Sequence, residues 1–387
     1  MGKNQRGGWI FMRGCISKRK NGTYAYTIEM GKHPETGKRR QKMKAGFASR
    51  KEAEAALAQA LSDLGRGSYL EPTKKTVQEY FTEFLEAKRQ RSRPGTVKTY
   101  KWLINCHITP RLGQIPLAKL TPQHLVNVYG DLKKENKLAP QTINHVHKVI
   151  HDGLATAMRH ELIHRNVAAL VQPPRVPKTK ANVWTDEQLV QFLDYAKSYR
   201  YYMIILLAAT CGLRRGEAIA LRWIDVDLKA GTLTVNQSYT RGERGHIFQE
   251  PKTKAGIRTI ALPQITLEAL KRQKILLAQD KLAAGPKYND HGLVSQTRYG
   301  CPINPYYFES RWLDLLRKSE LPRIRFHDLR HTHASLLLKQ NVHPKIVSER
   351  LGHSSVGITL DRYSHTYGID YKAANELDSL LSVVKEV

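Results

Sequence analysis

Two breaks constrain what this chain can fold into. Gly65-Arg66-Gly67-Ser68 through Pro72 reads as a flexible linker, and Pro173-Pro174-Arg175-Val176-Pro177-Lys178 as a stiff, basic one. They divide the 387 residues into three segments, expected as domains over 1–66, 74–172 and 180–387. The hydrophobic rhythm differs in each segment. The resulting expectation is an α+β multidomain protein: a small three-stranded sheet with one helix, then an all-α domain, then a mainly α domain holding a small antiparallel sheet.

In the first segment, Asn21-Gly22 is a hairpin signal. Tyr24, Tyr26 and Ile28 then alternate with Ala25, Thr27 and Glu29, the period of a strand. His33 to Gly37 reads as the next turn and Arg40 to Lys44 as a third strand. Ser49-Arg50-Lys51-Glu52 is a capping box opening a helix to Leu64. In the second segment Val77, Tyr80, Phe81, Phe84 and Leu85 recur at helical spacing, as do Val97, Tyr100, Leu103 and Ile104. Thr121-Pro122 is an N-cap with proline at the first helical position, and helices are expected over about 124–135 and 140–160.

Charge restricts the partners. Lys and Arg number 63 against 34 Asp and Glu, a formal net charge of +29. Such an excess points to a polyanion, nucleic acid before an acidic membrane surface. No stretch is long and apolar enough to cross a bilayer, and the N-terminus lacks the apolar core of a signal peptide. Four scattered cysteines, Cys15, Cys106, Cys211 and Cys301, form no metal knuckle or disulfide framework and suit a reducing cytoplasm. On the first segment Lys18, Arg19, Arg39, Arg40 and Lys42 suggest a basic sheet face shaped for a DNA groove. Arg89, Arg91, Arg93 and Thr96 lie in a basic stretch expected as a loop entering a helix N-terminus, an arrangement suited to phosphate.

The third segment carries the chemistry. Thr185-Asp186-Glu187-Gln188 is a capping box at its start. An apolar helix runs into Gly212-Leu213-Arg214-Arg215-Gly216-Glu217. Strands follow around Leu233–Tyr239 and Arg258–Leu262, with Lys252 and Lys254 expected on the sheet edge. Next come His327-Asp328-Leu329-Arg330, Leu351-Gly352-His353, and Tyr363 ten residues later. Two guanidiniums, Arg214 and Arg330, suit the non-bridging oxygens of a phosphodiester. A tyrosine phenol, ordinarily ionising near ~10, needs such a clamp and a base to become a nucleophile. A lysine supplies a proton to a leaving oxygen. His327, His331 and His333 invite a metal reading, but no carboxylate at ligand spacing accompanies them, and no metal is expected.

These five elements, in this order, resemble the tyrosine recombinases of the phage-integrase family. The N-terminal sheet is similar to the arm-site-binding domain of mobile-element integrases, and the helical segment to their core-site-binding domain. The resemblance implies a site-specific recombinase that integrates and excises a phage or conjugative element. It implies Tyr363 as nucleophile with Tyr367 in reserve, and a 3′-phosphotyrosyl intermediate. Arg214 and Arg330 would clamp, Lys254 or its rival Lys252 act as general acid, His327 and His353 orient the phosphate, and Glu217 brace the scaffold. No cofactor, metal or ATP is implied.

Implied partners are duplex attachment sites of arm and core type, further copies in a homotetramer around a Holliday junction, an excision factor and a host DNA-bending protein, in the cytoplasm at a bacterial nucleoid. The apolar stripe Ala374, Leu377, Leu381 and Val384 marks a C-terminal helix that docks on its own domain or on a neighbour. The competing readings are a non-enzymatic DNA-binding regulator on the same scaffold and a metal-dependent nuclease.

Overall fold

The computed structural model describes residues 14–32, 37, 39–65, 73–135, 138–177, 182–242, 245–251 and 253–363. The described residues up to Arg91, with Thr99–Val176, form one compact unit; Ser92–Lys98 and the residues from Pro177 onward form another. Lys252, Tyr367 and the stripe from Ala374 to Val384 lie outside the described residues, as do the side chains of Arg40 and Tyr363.

The first unit opens with an antiparallel sheet, β1 (Gly14–Lys18), β2 (Tyr24–Lys32) and β3 (Arg39–Phe47), followed by α1 (Arg50–Gly65). Gly22 takes φ +81°, and Asn21 Oδ1 accepts from the Thr23 amide and hydroxyl, closing the turn. Ser49 Oγ accepts from the Glu52 amide at 3.2 Å. Glu52 reaches back to the amide of Ala48 at 3.1 Å, one residue beyond the expected capping partner. Tyr26, Ile28 and Ala60 form a small core, with Leu57 and Phe47 against it.

β3 is longer than the expected Arg40–Lys44, and its register splits the expected basic face. Lys42 lies opposite Ile28 and Lys44 opposite Tyr26, the core-facing residues. Partners directly opposite share a face, so these lysines flank the helix-covered side. The other parity carries Thr27 opposite Met43. Irregularities at Tyr24/Ala25 and Glu29/Lys32 shift the pairing, a change that periodicity within one strand does not reveal.

The helical part comprises α2 (Val77–Arg91), α3 (Pro94–Leu103), a π-helical turn Ile104–Ile108, α4 (Thr109–Leu112), α5 (Pro122–Lys134) and α6 (Pro140–Arg159). All five apolar residues picked out on α2 are buried. Gly153 lets α6 approach α2: a Cβ there would sit 2.6 Å from Phe81, and the Tyr80 hydroxyl donates to Gly153 O at 2.7 Å. Thr121 caps α5 as expected. The stretch from Lys88 to Arg91, expected in a loop, is instead the last turn of α2. Basic side chains there favour the negative end of the helix and prolong it.

The second unit begins with α7 (Asp186–Ala196), α8 (Tyr202–Cys211) and α9 (Arg215–Ala220). β4 (Val226–Asp227), β5 (Thr232–Val235), β6 (Ser238–Arg241), β7 (His246–Gln249) and β8 (Arg258–Ala261) follow. α10 (Gln264–Ala284), α11 (Pro305–Lys318), α12 (Asp328–Lys339), α13 (Pro344–Leu351) and α14 (Val356–Tyr363) complete it. Thr185 forms its capping box with Gln188. α8 is buried from Met203 to Ala209 and again at Cys211, which makes it the central helix. An aromatic cluster packs beside it, with Trp312 5.2 Å from Phe192 and 5.3 Å from Phe326.

The strand expected through Leu233–Tyr239 is two strands. β5 lies between β4 and β8, whereas β6 and β7 form a separate hairpin. The break falls at Asn236 and Gln237, whose amide groups donate to Asp225 and to Ala220 O. Those side-chain bonds compete with ladder pairing.

Candidate active site

The site is built where α8 ends. Gly212 takes φ +66°, stopping the helix in the left-handed conformation that glycine tolerates. The constraint is doubled by packing, since a Cβ on Gly212 would lie 2.7 Å from Leu351 and 2.8 Å from His333. The chain turns through Leu213 and enters α9 with Arg214 at its N-cap. Glu217 accepts from the Arg214 amide at 3.0 Å through Oε2 and from Arg214 Nη1 at 2.7 Å through Oε1. Arg214 is thus held along one edge while its side chain stays 41% exposed.

Glu217 is buried between two guanidiniums. Besides Arg214 it accepts from Arg258 Nη2 at 2.8 Å. Burial alone would push its carboxyl up; Arg258 and then Arg214 more than offset that and hold it at about 2. Its carboxylate is thereby held in the charged form between the two guanidiniums.

Arg330 arrives from α12 and is among the largest fully buried side chains. Its Nη1 donates to Gly212 O at 2.6 Å and its Nη2 to Leu351 O at 2.5 Å. These carbonyls belong to the ends of α8 and α13, which lack intrahelical partners. Each Nη carries a second hydrogen. A neighbouring arginine does similar work: Arg350 donates to Thr210 O at 3.0 Å, to Ala261 O at 3.1 Å and to His333 Nε2 at 3.2 Å. With Nε2 accepting, His333 Nδ1–H donates to Ala209 O at 3.0 Å. Burial first, and Arg350 next, push the His333 imidazole down to about 3, so it is neutral. His333 is buried and is not among the residues that line the cavity of this site.

His327 caps the start of α12, exposed, with its ring 5.0 Å from that of buried His331 and perpendicular to it. Gly352 takes φ +66° after α13 and presents His353, whose Nδ1 lies 2.8 Å from the hydroxyl of buried Thr359 on α14. Tyr363 ends that same helix, four residues on. Among the described residues no group of three or more His, Cys, Asp or Glu is placed to hold a metal ion.

A cavity of about 540 Å³ collects these side chains. Arg214, Glu217, His327, Arg330, His331 and His353 line it, with Ser238, Thr240, Glu250, Thr253 and Arg93 on other walls. Residues more than a hundred positions apart in sequence therefore converge. Lys254 does not line the cavity. It is exposed, in a short 3-10 turn (Lys254–Gly256) rather than on a strand edge, between Thr253 and Gly256, which do.

The proposed DNA-contact residues are distributed differently. Lys18 and Arg19 are exposed at the first hairpin. Arg39 is engaged by Glu29 through two nitrogens. Arg89 pairs with Glu86 one turn away, and Arg91 is exposed. Arg93 donates to Glu250 O and Pro251 O at 3.0 and 2.9 Å, and Thr96 lies in the first turn of α3.

The sequence reading missed Arg258, Arg350, Thr359, Ser238 and Thr240. For Arg258 a signal was present: strand alternation puts it on the same parity as buried Ile260, a cation facing inward.

The chain matches the Phage integrase family over residues 182–368, the Arm DNA-binding domain over 16–64, and the Phage integrase N-terminal SAM-like domain over 76–133. It is 27% identical over 374 residues to the ICEBs1 integrase of Bacillus subtilis (strain 168), covering 95% of this chain and 100% of that one. Its fold is similar to that of the Tn1549 transposon integrase in complex with a circular intermediate DNA. The TM-score is 0.67 at 20% identity, covering 79% of this chain and 99% of the other. A lambda integrase tetramer bound to a Holliday junction gives a TM-score of 0.56 at 20% identity, with coverage of 88% and 95%.

Proposed function

The chain belongs to the phage integrase family, and from that premise we propose how it works as a tyrosine-type site-specific recombinase of the integrative-element kind. The scissile phosphate enters the cavity, where Arg214 and Arg330 hydrogen-bond its non-bridging oxygens and stabilise the added charge of the transition state. The Tyr363 phenolate attacks phosphorus as the bond to the 5′-oxygen breaks, leaving a 3′-phosphotyrosyl link. Lys254, or its rival Lys252, protonates the departing 5′-oxygen; His327 and His353 orient the phosphate and move protons. Attack by another strand's 5′-hydroxyl reverses the step. The ester energy is retained, so this chemistry requires neither metal nor ATP.

One observation carries the assignment: Arg214, the His327 and Arg330 pair, and His353, from three separate motifs, line a single cavity. A regulator that merely binds DNA has no need of that set. Residues 1–66 bind arm-type sites in this reading, 74–172 the core site, and 180–387 perform catalysis. Lys18, Arg19, Arg39, Arg40, Lys42, Arg89, Arg91, Arg93 and Thr96 meet DNA in this reading. The similarity to a tetrameric lambda integrase on a Holliday junction supports a homotetramer at synapsis. An excision factor and a host DNA-bending protein set direction, and the protein acts at the bacterial nucleoid.

The test is a duplex attachment site, taken from the flanks of the host element, nicked so that the cleaved end diffuses away. Incubated with the protein in chelator, it should yield a denaturant-resistant adduct that mass spectrometry maps to Tyr363, and Tyr363→Phe should abolish it. An adduct on Tyr367 would move the nucleophile. Tight binding without any adduct would overturn the catalytic reading.

A further inference from the structure

We propose that Arg258 is a positioning residue for strand cleavage: it holds Glu217, and through Glu217 the guanidinium of Arg214, in the orientation that meets the phosphate. The proposal rests on the reading of Arg214 given above. Nothing in the motif set assigns Arg258 a part, and its side chain is only 6% exposed.

The geometry divides one carboxylate between two jobs. Glu217 Oε2 is taken by Arg258 Nη2 at 2.8 Å and by the Arg214 amide at 3.0 Å. Oε1 is left for Arg214 Nη1 at 2.7 Å. Arg214 therefore meets Glu217 through a single side-chain bond and keeps the rest of its fork for substrate. Without Arg258, Oε2 loses a charged donor, and a carboxylate free to turn takes Arg214 bidentately, the geometry this pair prefers. The guanidinium would then be drawn from the cavity toward its brace.

Arg258 also reaches two other segments of the site. Its Nε donates to Arg350 O at 2.7 Å, at the end of the helix that leads into His353. Its Nη1 donates to Gly256 O at 3.1 Å, in the turn that carries Lys254. Gly352 belongs to the same arrangement. A Cβ there would fall 3.1 Å from both Cδ and Nη1 of Arg258, and 2.7 Å from Ala255 O. The glycine of the Leu-Gly-His motif thus leaves room for Arg258 to pass beneath the turn presenting His353. One guanidinium spans Glu217, the lysine turn and the end of α13.

The experiment uses the full chain and single-turnover cleavage of the nicked duplex. It reads rate constant, amplitude and core-site affinity separately for Arg258→Met, Arg258→Lys, Glu217→Gln and the Arg258→Met/Glu217→Gln double variant. Arg258→Met should lower the rate constant about 100-fold, the scale of a misplaced catalytic group, with amplitude and affinity within about twofold. Arg258→Lys should recover about tenfold of that loss, because an ammonium still bonds the carboxylate. In the Glu217→Gln background the further loss from Arg258→Met should shrink below about threefold, since the two act through one route.

The pH profile supplies a readout that a purely structural role would not move. With its strongest cationic partner gone, Glu217 titrates at higher pH. The variant's rate should fall on the acid side where the parent's does not. A parental rate constant in Arg258→Met overturns the proposal. So does reduced amplitude at an unchanged rate constant, or the full loss persisting in Glu217→Gln. Arg214→Ala, run in parallel, separates the two levels. If it cleaves at the parental rate, the catalytic reading itself falls; if it is inactive while Arg258→Met cleaves at the parental rate, only the positioning role falls.

Discussion

At the scale of single residues, the charge states behind the cavity are dictated by neighbours. His333 is the clearest case, because its folded-state pKa of about 3 lies far below the ordinary imidazole value. The unfolded chain takes up a proton as pH falls through about 6.5, and the native state does not. Stability attributable to His333 is therefore complete above that pH and declines as pH falls toward 3. Counted from well above pH 6.5 down to pH 5, the loss should be about 2 kcal/mol. His333→Gln should flatten this slope in a series of thermal unfolding curves while lowering the midpoint at pH 7. An unchanged slope would mean that His333 is protonated in the native state. Arg214, His327, Arg330 and His353 were singled out in the sequence by residue type and motif spacing, and the fold brings all four to one cavity. Arg350 and Thr359 were not singled out, since each acquires its role from a partner distant in sequence or from a turn of unknown shape.

At the scale of elements, helix ends decide the site. Gly212 and Gly231 both take φ near +66° (+66° and +67°), but only Gly212 is closely surrounded. A Cβ on Gly231 would meet Leu267 at an ordinary 3.6 Å. Gly231→Ala should therefore lower the unfolding free energy by about 1 kcal/mol, the left-handed backbone cost alone. Gly212→Ala adds overpacking against Leu351 and His333 and should lower it by about 3 kcal/mol. Denaturant titrations at constant m compare them directly, and equal losses would show that backbone conformation alone demands glycine at 212. Capping at Ser49, Thr121 and Thr185 was legible because each cap is a local bond between near neighbours. The extension of α2 through Arg91 and the break between β5 and β6 were not. There, a helix dipole and two side-chain amides outweigh local composition.

At the scale of the whole molecule, the +29 charge sets the strength and the salt dependence of DNA binding. Core-site affinity should fall about a thousandfold between 50 and 200 mM salt, as expected for roughly six or more neutralised phosphates. A loss below about tenfold in a filter-binding or anisotropy titration would mean that the excess charge is not spent on phosphates. The N-terminal three-stranded sheet, the helices between Val77 and Arg159 and the capped starts of α5 and α7 were determined by the sequence alone, because periodicity and caps are local properties. The convergence of Arg214, Arg330 and His353 on one cavity, the sheet register that sets Lys42 opposite Ile28, and the sharing of Glu217 between Arg214 and Arg258 were decided only by the tertiary structure. Each depends on which buried groups meet across long stretches of chain, where a carboxylate or a helix-end carbonyl must find its donor once water is gone.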